Sequence, residues 1–269
     1  MKMLTKEDKD VINNDENFNK IFVELSGNST YFTDGEIKKG LKKPFEKYSK
    51  LDRLNRCGVA LACITGNNLK KSKKPKKNSR IKPTARKSIK CEAIEDGGYL
   101  YNSCHLIGRQ LATKKVNRKG LITGTRLFNY IEGMSRFENE VAKYIEDNPD
   151  HHILYRVMPY FKDNNLLAYG VQMEILDIDD KESFSYNVFV YNKQPGFDID
   201  YRNGDVYSDY SLSIPEKKSR YNIYVIDMDT GMFHKKSCAS VRDIKNKRYF
   251  AGKKQTIEEK YCKCEICIH

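Results

Sequence analysis

The sequence predicts an α+β fold in which an antiparallel sheet carries most of the main domain, and three observations predict it. Apolar residues alternate in three runs, residues 153–157, 166–175 and 185–191, with turn chemistry at Asp163-Asn164-Asn165 and Asp179-Asp180 between them. That is the pattern of an antiparallel meander. Just upstream, Phe137, Val141, Tyr144 and Ile145 recur at helical spacing before Asn148-Pro149, a helix-stopping pair. At the far end Cys238, Cys262, Cys264 and Cys267 crowd together, which marks a small Cys-rich module.

In chain order, residues 1–18 are polar and charged without apolar periodicity and read as a flexible N-terminal tail. The main domain then extends over residues 19–212. It opens with a short strand around 21–25, and the run Cys57-Gly58-Val59-Ala60-Leu61-Ala62-Cys63-Ile64 reads as a buried strand. Residues 213–269 form the Cys-rich module, opened by the strand-like run 221–226. A length of 269 residues accommodates one full-size domain plus something small.

No run approaches the ~18 apolar residues a membrane span needs, and Met1-Lys2-Met3-Leu4-Thr5-Lys6 lacks an apolar leader core. The chain as written therefore reads as soluble and cytoplasmic with no membrane partner, an exported form being left open. A formal net charge of +13 sets up a positive field that attracts polyanions, nucleic acid first among them. Residues 70–83 concentrate that charge in a Lys- and Pro-rich run containing Lys73, Lys74, Lys76, Lys77 and Arg80. It reads either as a solvated surface loop or as an arm along a phosphate backbone, binding by counterion release without base specificity.

The chemistry gathers between residues 99 and 138. Asp96-Gly97-Gly98 is a turn, and the strand after it delivers His105 at its end, with Leu121-Ile122-Thr123 as the partner strand. A neutral imidazole at neutral pH can accept a proton from water. The amide oxygen of Asn129 is a hard donor suited to Mg²⁺. Arg126 and Arg109 can each meet two phosphate oxygens at once. Glu138 has two readings: the carboxylate of a capping box begun by Ser135, or a carboxylate directed at a metal-bound water. Nine residues at about 100° each leave Asn129 and Glu138 on opposite faces of one continuous helix. A helix that begins only after Gly133-Met134 relieves the conflict.

The stretch Tyr101-Asn102-Ser103-Cys104-His105-Leu106-Ile107-Gly108, followed by Leu121-Ile122-Thr123-Gly124-Thr125-Arg126-Leu127-Phe128-Asn129 and Phe137-Glu138, resembles the active-site motifs of the DNA/RNA non-specific endonucleases. These are the ββα-metal or His-Me finger nucleases, and the likeness is greatest to the streptococcal DNA-entry nuclease and streptodornase branch. It runs from about residue 20 to about 205. It implies a ββα-metal core and a Mg²⁺- or Mn²⁺-dependent, sequence-non-specific endonuclease acting on DNA, with RNA as a further candidate. His105 would be the general base and Asn129 the ligand of a single metal, with Glu138 and Arg126 assisting and Arg109 and the basic run on the substrate. A nuclease of this kind endangers its own cell, so control is expected by an inhibitor or regulatory protein as partner, by delivery to another cell, or by conditional activation.

Two positions depart from the family pattern. Where relatives read Asp-Arg-Gly-His or Asn-Arg-Cys-His, this chain has Asn102-Ser103-Cys104-His105, and Gly120 stands where Asn usually precedes Leu-Ile-Thr-Gly-Thr. Ser103 and Gly120 together motivate a second reading, a nucleic-acid-binding protein of the same fold with impaired turnover. A third makes the Cys-rich module an adaptor. In that module Cys264 and Cys267 form a C-x-x-C pair that, with Cys238, can hold zinc, and His234, Cys262 and His269 compete for the fourth place. Buried thiols or a disulfide are the alternatives.

Overall fold

The computed structural model describes residues 4–67, 69, 81–95, 98–115, 117–130, 132–215 and 219–268. Lys73, Lys74, Lys76, Lys77, Arg80 and His269 lie outside these residues. Among the described residues no helix is long and apolar enough to cross a membrane.

The expected meander is present and is larger than the sequence pattern implied. Strands β1 (Phe22–Glu24), β2 (Phe45–Tyr48), β3 (Ala60–Ile64), β7 (Ile153–Tyr160), β8 (Gly170–Asp177) and β9 (Ser185–Tyr191) form one antiparallel sheet in the order β1-β9-β8-β7-β3-β2. Between β3 and β7 the chain forms β4 (Lys90–Cys91), which pairs with the distant β12 (Leu212–Ser213), and then the hairpin of β5 (Tyr101–His105) and β6 (Leu121–Thr125). Period-two alternation in β7 sends Ile153, Tyr155 and Val157 to one face, where they pack on Phe137, Val141 and Ile145. Leu154 turns to the other face against Ile178 and Ile37 of helix α3 (Asp34–Lys42). The sheet is therefore buried on both sides, and the helix that bears Glu138 covers one of them.

The N-terminal segment departs from expectation. Residues Lys6–Asn13 and Asp15–Phe18 are helices α1 and α2, with a capping box closed between Thr5 and Asp8. Leu4 and Ile12 are buried with Phe189 and Tyr191 of β9, and Phe18 stacks on Tyr169. The polar majority of residues 1–18 hid four apolar side chains, Leu4, Val11, Ile12 and Phe18, that suffice to dock two short helices.

A second six-stranded sheet runs β10 (Phe197–Asp200), β11 (Asp205–Ser208), β15 (Lys247–Gly252), β13 (Asn222–Asp227), β14 (Met232–Lys235) and β16 (Cys262–Lys263). Residues 197–208, expected to close the main domain before residue 212, pair instead with the C-terminal segment: Val206 lies opposite Ala251 and Tyr207 opposite Phe250. Val206 and Ala251 share a buried cluster with Tyr101 and Leu100 of the region that carries His105. The C-terminal segment is thus continuous with the body, and Lys87 reinforces the joint through its ion pair with the fully buried Asp205.

Candidate active site

In the β5–β6 hairpin His105 lies opposite Leu121 and Tyr101 opposite Thr125. The chain passes directly from β6 into a one-turn helix, α4 (Arg126–Asn129), and then into α5 (Met134–Asp147). Thr125 caps α4, its hydroxyl oxygen accepting from Phe128 N–H at 3.2 Å. The break required between Asn129 and Glu138 falls where the sequence placed it, and the capping box does not. Gly133 is the N-cap of α5 and offers no side chain. Ser135 lies inside the first turn, and its hydroxyl donates to the Asn129 carbonyl at 2.6 Å, which fastens α5 to the end of α4. Glu138 is thereby released from any capping duty.

These elements converge on one polar pocket of about 390 Å³ lined by His105, Asn129, Glu138, Asn102, Ser103 and Arg109, among others. Arg109 is exposed at its rim. Asn129 and Glu138 are half-buried, and neither side chain has a hydrogen-bond or ion-pair partner among the described residues. Glu138 opens onto the pocket, but its carboxyl is packed round by protein atoms, and this desolvation pushes its pKa up to about 8. Gly108 makes room for it: a Cβ there would lie 2.4 Å from Glu138 Oε2.

Arg126 does not join this group. Its guanidinium sits 3.8 Å above the Tyr130 ring, a cation–π contact, and lines a different cavity with Glu95, Glu132 and Gln194. The aromatic neighbour four residues on captures it. Cys104, beside the histidine, is fully buried, and burial raises its thiol pKa, so it is no nucleophile.

Residues with no recognisable motif position the hairpin. Asn192, fully buried just after β9, accepts from Thr125 N–H at 2.9 Å and donates to the carbonyls of Thr123 at 3.0 Å and Ala168 at 2.9 Å. Gln194 accepts from Leu127 N–H at 3.0 Å. On the other side, Glu46 of β2 accepts from Thr113 N–H at 2.9 Å and Lys114 N–H at 3.2 Å, and from the Tyr48 hydroxyl at 2.6 Å. Tyr48 also accounts for Gly120: a Cβ at that residue would meet its ring at 2.6 Å. No local signal predicted the contacts to the hairpin, because they come from segments distant in sequence.

In the C-terminal sheet, His234, Cys238, Cys264 and Cys267 gather with their ligand atoms all within 4.8 Å of one another. Cys262 is exposed. No cysteine is in a disulfide among the described residues.

A hairpin ending in His and handing over to helices that bring Asn and Glu into the same pocket is the arrangement of the ββα-metal nucleases. The family model for DNA/RNA non-specific endonucleases matches residues 37–178, more than half of the chain, and the protein belongs to that family. It is 31% identical over 118 residues to a deoxyribonuclease of Streptococcus dysgalactiae subsp. equisimilis, a match covering 43% of this chain and 35% of the relative. The chain thus spans about a third of that relative's length. Among solved structures it is similar to Sda1 nuclease with bound zinc ion, at 28% identity and TM-score 0.53 over 60% of this chain and 80% of the other. It also shares the fold of NucA from Streptococcus agalactiae with magnesium bound, at 19% identity and TM-score 0.58, over 72% and 86% of the two chains.

Proposed function

We propose that the protein is a divalent-metal-dependent, sequence-non-specific endonuclease that hydrolyses phosphodiester bonds of DNA, and of RNA where the strand reaches the pocket. One observation carries the reading: His105, Asn129 and Glu138, far apart in their local elements, line a single polar pocket on a hairpin–helix unit. A net charge of +13 supplies the long-range attraction to the substrate.

His105 takes the proton of the attacking water, a role that contributes about 10²–10⁴-fold. The donor set fits a hard cation, since two oxygen-bearing side chains without partners among the described residues face one polar space. Asn129 would hold the ion through its amide oxygen, and Glu138 would orient water beside it. When bound, the ion supplies Lewis-acid polarisation of the phosphate and offsets the charge that develops on its oxygens. Mg²⁺ or Mn²⁺ suits these ligands. Arg109, at the open rim, grips a neighbouring phosphate. Ser103 lines the pocket where relatives carry Arg, so charge stabilisation falls to Arg109 and the metal. The partner of the site is nucleic acid, with an inhibitor or regulatory protein as a further candidate partner.

Digestion of supercoiled plasmid and of structured RNA by wild type and His105→Ala, each with Mg²⁺ and with EDTA, tests the reading. Mg²⁺-dependent cleavage that disappears with the substitution is expected. Tight binding of nucleic acid without cleavage by either protein would overturn it in favour of the impaired, binding-only reading.

A further inference from the structure

The pocket leaves one group of reactive side chains without a task. His234 lies on β14 and Cys238 in the turn that follows, while Cys264 and Cys267 flank a tight turn after β16. The two halves, His-x₃-Cys and Cys-x₂-Cys, are brought together by parallel pairing of β14 with β16, Met232 opposite Cys262 and Phe233 opposite Lys263. His234, Cys238 and Cys264 are buried at 3%, 8% and 4% exposure. Both ring nitrogens of His234 are buried and have no hydrogen-bond partner among the described residues. An imidazole so placed has given up its hydrogen bonds to water on folding.

From this geometry we infer that His234, Cys238, Cys264 and Cys267 form a closed, four-coordinate structural zinc site, separate from the nuclease pocket. Zinc takes thiolate and imidazole ligands at about 2.3 and 2.0 Å in a tetrahedron, whose edges are then about 3.5–3.8 Å. Ligand atoms already within 4.8 Å of one another reach it if the widest pair closes by about 1.0–1.3 Å. The sulfur-rich set selects zinc over Mg²⁺, which prefers oxygen. A disulfide between Cys264 and Cys267 would leave His234 and Cys238 unexplained. Three thiolates on a dication leave one net negative charge. Lys235 N–H, 3.3 Å from Cys267 Sγ, donates to that sulfur, and the lysines at 235, 236 and 263 crowd the same turns.

The site also answers a structural need. Strand β16 contributes two residues to the sheet edge, too few to hold a chain end by ladder bonds alone. Beyond it, Ile268 is buried beside Phe233 and Cys264. Zinc fastens this end to β14, and so completes the cluster formed by Phe233, Phe250, Tyr224 and Ile257. All four ligand places belong to the protein, so no position is left for substrate, and the ion is a cross-link rather than a catalyst.

The test uses the full chain. Purified from zinc-supplemented medium and dialysed, it is expected to retain one zinc per chain by elemental mass spectrometry. Replacement by Co²⁺ is expected to produce the thiolate-to-metal charge-transfer absorption that an oxygen site cannot give. Asn129→Ala should leave zinc and spectrum intact, whereas Cys264→Ser should lose both. If Cys264→Ser fails to fold, His234→Cys serves in its place: it should keep the metal and shift the cobalt visible bands toward those of a four-thiolate site. Wild type without zinc and without the charge-transfer band would overturn the inference. So would zinc that survives Cys264→Ser but leaves with Asn129→Ala, or cobalt bands indifferent to His234→Cys. None of these outcomes bears on whether the His105 pocket cleaves DNA.

Discussion

The pocket around His105 and the cluster around His234 each gather ligand-type side chains from neighbouring turns and strands, yet they differ in donor, access and charge. The first is lined by oxygen and nitrogen groups, is half-buried and opens to solvent, and its one acidic side chain, Glu138, has no ion-pair partner among the described residues. The second is three sulfurs and an imidazole drawn together with most of their surface covered. An open oxygen site holds a metal weakly and leaves coordination places for water and phosphate. A closed sulfur site holds zinc tightly and leaves none. Placement at a turn after a strand does not separate the two proposed centres, whereas donor type and access do.

The sharpest way to break this contrast is His105→Ala. Cleavage is expected to fall by about 10²–10⁴-fold while zinc content stays at one per chain, measured by plasmid nicking and elemental analysis on the same preparation. Loss of zinc together with activity would merge the two centres. Next in size is Ser103→Arg, which places beside the proposed base, His105, the guanidinium that the family pattern has there. A positive group aimed at developing charge is worth up to about 10²–10³ in rate, so turnover should rise by at least about 10-fold. An unchanged rate would show that Arg109 already supplies that charge.

Asn192→Ala tests whether the open site depends on its mooring. The substitution strands the buried Thr125 N–H and the carbonyls of Thr123 and Ala168, at a cost of about 2–4 kcal/mol. Urea denaturation should show it, and cleavage should weaken with Asn129 less well held. Stability equal to wild type would mean water replaces the amide.

The smallest expected effect concerns pH. Burial holds the Glu138 carboxyl at about 8, above its ordinary 4.5. The folded state therefore keeps a proton that the unfolded chain releases, so this group favours folding below pH 4.5 and loses that contribution as pH rises to about 8. In metal-free protein Glu138→Gln should remove that part of the decline, seen as a flatter plot of Tm against pH. Parallel plots for the two proteins would contradict the assignment. No such slope is expected from the sulfur cluster once zinc occupies it.

Much of this contrast is written in the sequence. The strands within 153–191 announce themselves by period-two alternation, because successive side chains go to opposite, separately packed faces of the sheet. The hairpin and its His, Asn and Glu are legible from motif spacing, and the helix break between Asn129 and Glu138 follows from the 100° step. The C-x-x-C pair shows its chemistry by spacing alone, and the choice of His234 over Cys262 needed the parallel β14–β16 pairing. What stayed hidden is non-local. Arg126 turned to Tyr130, Ser135 to the Asn129 carbonyl, and Asn192 to three backbone groups from other segments, each decided by packing that no window of sequence contains. The short N-terminal helices were masked by composition, since four apolar residues among charged ones carry their docking.

Tyr101 belongs to the strand that ends in His105, yet its ring is fully buried among Val206, Ala251 and Tyr221. The C-terminal sheet is therefore part of the floor beneath the candidate base. A single backbone cut between Ile214 and Arg220 would leave two fragments that still share this core, and they should migrate together through a sizing column in native buffer. The modularity read from the sequence does not carry over to the folded molecule: a chain shortened at that point would have to refill the space around Tyr101 before its remaining domain could stand alone.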